Sequence, residues 1–172
     1  MKQPFKLEHV GQEEDIYAEN EVAISGFGPF TLTGDTVEYH FREEEMSLEK
    51  AEAYIGQTLN NLSKDTIDDL CHKMCTFIAR VFDTYPNLNC TSGLAEAKGN
   101  DILPFISASD IYIYRNPYND RDNVLGANII VGLEWDYEDG VELNVKGSEV
   151  LSVTQYLGYG EFGIWDEDEN ST

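Results

Sequence analysis

The spacing between apolar positions changes along the chain, and each spacing predicts a different element. From about Phe5 to Phe41 the apolar residues come in short runs: Glu21-Val22-Ala23-Ile24-Ser25, Pro29-Phe30-Thr31-Leu32-Thr33 and Thr36-Val37-Glu38-Tyr39-His40-Phe41. Gly26, Gly28 and Gly34-Asp35 break them, as turn formers do between strands. In the third run Val37, Tyr39 and Phe41 alternate with Glu38 and His40, the period of a strand with one wet face. These runs predict an antiparallel meander.

Beyond Glu43-Glu44-Glu45 the spacing lengthens to that of a helix. Ser47 is a good N-cap, and Leu48, Ala51, Ile55, Leu59 and Leu62 recur at helical intervals. Gly56 weakens that helix by about 1 kcal/mol relative to Ala. Ser63 caps a second helix, in which Ile67, Leu70, Cys71, Met74, Cys75, Ile78, Val81, Phe82 and Tyr85 form one broad stripe before Pro86 stops it. A stripe of that width has to lie against a sheet or another helix. Asn87 to Asp101, with Gly93 and Gly99, reads as a loop.

Strand character returns from Ile102. Asp110-Ile111-Tyr112-Ile113-Tyr114-Arg115 predicts a strand, Asn116 to Asn123 a turn-rich loop, and Asn128 to Trp135 a buried strand. Glu138-Asp139-Gly140 makes a tight reversal into Val141, Leu143 and Val145, which alternate with Glu142, Asn144 and Lys146. Gly147-Ser148 turns again into Val150-Leu151-Ser152-Val153. The order strands, helices, strands predicts an α+β fold: an antiparallel sheet with two amphipathic helices packed on one face. One domain over 1–165 is expected, followed by a disordered acidic tail over 166–172.

Charge changes what this body can do. Its 172 residues hold 33 Asp+Glu against 11 Lys+Arg, a formal net charge of -22, while 41% hydrophobic and 12% aromatic residues are ample for folding. Such a surface repels polyphosphates and anionic membranes and attracts basic proteins. Acidity also serves solubility alone, and composition does not separate the two uses. The start has no apolar run of signal-peptide length, no stretch approaches a membrane span, and three cysteines fit a reducing cytoplasm better than a disulfide framework. A cytoplasmic location is expected.

No motif names a reaction. Cys71 and Cys75 share a helical face, but they lie inside the apolar stripe and no second Cys/His pair closes a tetrahedral metal site. His9, His40 and His72 are scattered, so a pairing with Cys90 has no supporting flank. Gly26-Phe27-Gly28-Pro29 leads into more strand rather than a phosphate-binding helix. Asp166, Asp168 and Asn170 have the spacing that opens a calcium loop, without its glycine or closing Glu. No metal and no cofactor are expected, and the chain reads as non-catalytic.

What remains is a surface of aromatic and acidic residues. Trp135, Asp136, Glu138, Asp139, Tyr156, Tyr159 and Trp165 are the candidate contact residues, because Tyr and Trp anchor protein interfaces and flanking acids suit a basic partner. Ordinary sheet packing would use the same residue types, and exposure separates the two readings.

The stretch Gly132-Leu133-Glu134-Trp135-Asp136-Tyr137-Glu138-Asp139-Gly140-Val141-Glu142-Leu143, followed by the Val150-Leu151-Ser152-Val153 strand, resembles the C-terminal hairpin of a bacterial domain family of unknown function. In that family a Trp-Asp-x-Glu-His-Gly-Leu segment heads a strand pair. The Ser47-Leu48-Glu49 helix start is similar too, so the likeness spans about 20 to 157. Asp139 stands where the family has His and Val141 where it has Leu, so no role for that His carries over. The resemblance implies a small acidic protein of immunity-protein type. The expected function is that of an immunity or antitoxin-like inhibitor whose partner is a basic toxin or nuclease. A phage-encoded nucleic-acid mimic acting on a defence nuclease, and a small enzyme or cation-binding protein with a pocket near Trp135, are the alternatives.

Overall fold

The computed structural model describes residues 8–9, 16–18, 31–32, 37–42, 44–90, 93–133, 140–158 and 160–165. The expected strand at Glu21–Ser25 and the expected acidic tail lie outside them. Among the described residues the order is β1 (Glu8–His9), β2 (Ile16–Ala18), β3 (Thr31–Leu32), β4 (Val37–His40), α1 (Leu48–Gln57), α2 (Lys64–Thr84), β5 (Ile106–Arg115), β6 (Leu125–Leu133), β7 (Val141–Lys146), β8 (Glu149–Gln155) and α3 (Gly160–Trp165).

The fold is α+β, and its sheet is mixed. Strands neighbour one another in the order β1-β2-β4-β5-β6-β7-β8, with β3 also on β5. β5 to β8 form an antiparallel run, but β4 and β3 both lie parallel to β5, with Tyr39 opposite Ile111 and Thr31 opposite Ser107. This corrects the expected antiparallel sheet. Between β4 and β5 the chain passes through both longer helices, a crossover long enough to bring it back in the same direction. Alternation of apolar residues is the same in parallel and antiparallel strands, so the pattern carries no information on direction.

The two longer helices start where their caps predict. The Lys50 backbone N–H donates to Ser47 Oγ (3.2 Å), and that of Thr66 donates to Ser63 Oγ (3.1 Å). α1 stops at Gln57, short of Leu62, and passes into a 3-10 turn at Leu59–Asn61. There Asn61 Nδ2 donates to the Gly56 carbonyl (2.7 Å), supplying a partner that the helix end lacks. The predicted loop after α2 ends in a second 3-10 turn at Gly99–Phe105.

One buried cluster joins Ala51, Tyr54 and Ile55 of α1 and Leu70, Cys71, Met74 and Ile78 of α2 to Ile111 and Ile113, Ala127, Ile129 and Val131, and Val141, Leu143 and Val145 of the strands. Tyr54 adds a tether, its hydroxyl donating to the Gly147 carbonyl (2.9 Å) in the β7–β8 turn. Gly147 takes φ 61° there, a conformation that a side chain would strain in a two-residue hairpin turn. No helix among the described residues is long and apolar enough to cross a membrane.

Ile129 and Leu143 face each other across β6 and β7 at 1% exposure each, at the centre of this cluster. Ile129→Ala or Leu143→Ala should lower unfolding stability by about 2–5 kcal/mol with an unchanged urea slope, measured by equilibrium denaturation.

Candidate functional site

The face of the sheet opposite that cluster is polar, and two irregularities in the strands arrange it. Ser109 is an extra residue in β5: Ala108 pairs with Val131, yet Asp110 pairs with the adjacent Ile130. Before it, Ile106 and Ala108 point into the apolar cluster; after it, Ile111 and Ile113 do. The bulge therefore sends Asp110, Tyr112 and Tyr114 to the other face. In β8, Leu151 is the extra residue, since Val145 pairs with Val150 and Asn144 with Ser152. Ser152 and Thr154 consequently join the polar face.

The result is a row of polar residues aligned across five strands. His40 is opposite Tyr112, Tyr112 opposite Asn128, Asn128 opposite Asn144, and Asn144 opposite Ser152. The His40 and Tyr112 rings stack with centroids 4.3 Å apart. Asn128 Nδ2 donates to Asn144 Oδ1 (2.8 Å), and Asn144 Nδ2 donates to Ser152 Oγ (3.1 Å), so the amides point the same way along the row. Beside it lies Glu142, only 4% exposed, which accepts from Asn128 Nδ2 and from the Thr154 hydroxyl, both at 3.3 Å. These buried groups are acceptable because they bond one another.

At one end of the row His40 Nε2 sits 3.0 Å from Asp110 Oδ1, and the Ser109 hydroxyl donates to Asp110 Oδ2 (2.7 Å). Serine, histidine and carboxylate are present, but the carboxylate stands between the other two. A nucleophilic serine needs the imidazole as its direct base, so this arrangement does not activate Ser109. Tyr114, farther along β5, has its phenol pushed up to about 12, first by burial and then by Glu161 and Tyr112.

Helix α3 lies on this polar face, and no helical spacing in the sequence predicted it. Its glycines make the contact: a Cβ on Gly160 would come within 2.5 Å of Asn128 Cγ, and one on Gly163 within 2.8 Å of Asn144 Nδ2. Ile164 packs over Gly126, where a Cβ would meet its Cγ2 at 2.7 Å. Lys146 Nζ stands 4.8 Å from the Trp165 ring centroid.

Residues 10–160 match DUF6985, a domain of unknown function. The chain belongs to the DUF6985 family. No curated protein and no solved structure matches it. The matched residues of the DUF6985 domain take in the whole polar row, from His40 to Ser152, and end at Gly160, where α3 begins.

Of the contact residues expected in this DUF6985 chain, Trp135, Asp136, Glu138, Asp139 and Tyr159 lie outside the described residues. Tyr156 is on the surface at 39% exposure, beside Leu157 at 62%. Its backbone N–H donates to the Gly140 carbonyl (2.7 Å), so it sits where the chain leaves the 134–139 segment. Trp165 is different: at 1% exposure its ring belongs to the interior, which corrects the expectation of a surface anchor. Residue type and flanking acids alone pointed to Trp165, and the packing of α3 buries it.

Cys71 is buried, and its thiol is pushed up to about 11, first by that burial and then by Cys75 and Asp68. It therefore stays a thiol at neutral pH. Among the described residues no group of three His, Cys, Asp or Glu side chains could hold a metal ion. Sequence reasoning missed the row of His40, Tyr112, Asn128, Asn144 and Ser152. The one local signal was the alternation of Glu142 and Asn144 with buried Val141 and Leu143, which marks a second face but not that it is covered.

Asn144→Ala should cost about 1–3 kcal/mol in denaturation, because it leaves the Asn128 amide and the Ser152 hydroxyl short of partners. An alkaline titration checks the phenols. Burial raises Tyr39 and Tyr54 as well as Tyr114, so their contribution to stability is whole below pH 10 and is lost as the pH rises through their raised values, about 12 for Tyr114 and higher for the other two. Absorbance at 295 nm should show these tyrosines ionising together with the loss of circular dichroism, after the exposed ones.

Proposed function

We propose that this DUF6985 protein is a non-catalytic binding protein of immunity or antitoxin type, which covers a basic toxin or nuclease. In this reading α1 and α2 seal the apolar face of the sheet, and recognition falls to the acidic surface. The observation that carries it is the net charge of -22 on a folded body, four of whose described cations are engaged in local ion pairs. Arg42 pairs with Glu45, Lys64 with Asp68, Lys73 with Asp69 and Arg115 with Asp120. Those contacts leave a large excess of carboxylates to steer a basic partner by long-range attraction.

Tyr156 and Leu157 support a place for the contact. They are exposed side by side next to Gly140, and Trp135, Asp136, Glu138 and Asp139 precede Gly140 closely in the chain. Exposed aromatic and aliphatic anchors on a strongly acidic chain suit the core of an interface with a basic protein.

The test is capture by the tagged full chain at low and at high salt, with the purified product of the adjacent reading frame as the first probe. A basic protein should be retained and its association rate should fall as salt shortens the range of the field. Binding that ignores salt, or retention of nucleic acid in place of protein, overturns the reading. Tyr156→Ala together with Leu157→Ala should weaken the captured complex by about tenfold or more at unchanged melting temperature, read by calorimetry.

A further inference from the structure

Strand β8 forms one edge of the sheet: it ends the strand order and pairs, among the described residues, with β7 alone. From Val150 to Leu157 the chain holds no charged residue, proline or glycine, in a protein of which 26% of the residues are charged. Charges and prolines are what edge strands usually carry to keep other chains from pairing with them. The bulge at Leu151 is such a device too, but it interrupts only the start of β8, and Ser152 to Gln155 stay in regular register with β7.

The ladder fixes where the main-chain groups of β8 point. The Tyr156 N–H donates to the Gly140 carbonyl (2.7 Å), and hydrogen-bonded pairs alternate along an antiparallel ladder. Counting back along the register, Thr154 and Ser152 turn their N–H and C=O groups to Glu142 and Asn144, and Val153 between them turns both of its groups away from β7. Tyr156 and Leu157, both exposed, follow directly along the chain. The edge thus sets main-chain donors and acceptors next to an aromatic and an aliphatic anchor.

We propose that the outer edge of β8 is a strand-addition site, which takes an extended, basic segment of a partner protein. Main-chain hydrogen bonds at Val153 hold the segment, and its alternate side chains meet Tyr156 and Leu157. Charge selects this occupant: two copies of the chain, each of net charge -22, repel one another, whereas a segment bearing Lys or Arg is drawn in. The inference rests on the basic partner proposed above and adds the mode of its attachment.

The test adds the blocked peptide acetyl-Lys-Val-Lys-Val-Lys-Val-Lys-amide to the intact chain, with its fully N-methylated form as a control of equal charge that offers no main-chain donor. At saturation the first peptide should slow amide exchange at Val153 by about tenfold or more. The N-methylated form should bind at least about tenfold more weakly by calorimetry. Equal binding of the two forms, or a Val153 amide that exchanges at its free rate, overturns the proposal, as does a chain that dimerises through β8 in sedimentation. Val153→Pro loses only an outward N–H from the ladder, so it should keep one melting transition and lose the peptide; if it fails to fold, the two peptides on the unaltered chain decide. The peptides take no part in the capture experiment. Docking at β8 without capture of a basic protein therefore counts against the partner alone, and capture that leaves Val153 unprotected counts against strand addition alone.

Discussion

The structure depends on the two-sided character of β5 to β8. Each strand must give alternate residues to one apolar cluster, and the residues between them are then committed to the opposite face. The bulges at Ser109 and Leu151 are what make this possible over the full length of β5 and β8. Without the first, the phase that buries Ile106 and Ala108 would drive Asp110 and Tyr112 into the cluster in place of Ile111 and Ile113. That would cost far more than a locally irregular ladder.

Once the phase is set, the polar face has its own demand. Asn128, Glu142 and Asn144 are each less than 5% exposed, so their hydrogen bonds must be made within the protein. The row meets this by pairing each amide with the residue directly across the ladder. It also resists slippage: a shift of β7 by one residue would separate Asn144 from both Asn128 and Ser152 and turn Leu143 away from Ile129. Polar and apolar faces thus specify the same register. The close approach of α3 follows from this, because only glycine at 160 and 163 leaves room for the two amides beneath.

Charge acts on a different scale. A net charge of -22 repels itself, which weakens any compact state, and the few local ion pairs are exposed enough to contribute little. Stability must therefore come from the apolar cluster. The charge is left to govern which molecules approach and how fast.

The sequence by itself determined the elements whose causes are local. Ser47 and Ser63 set the helix starts, Pro86 the stop of α2, and the alternation over Val141–Lys146 the strand β7, because caps, proline and period act within a few residues. The net charge was legible in the same way. Only the tertiary structure decided the direction of β4 against β5, the alignment of His40, Tyr112, Asn128, Asn144 and Ser152, and the burial of Trp165. Those outcomes depend on partners tens of residues apart, and the period of a strand is the same whatever it pairs with. Helix α3 is the extreme case. With two glycines in six residues it has little propensity of its own, and its residues are helical because the amide row and Gly126 give them a surface to fit.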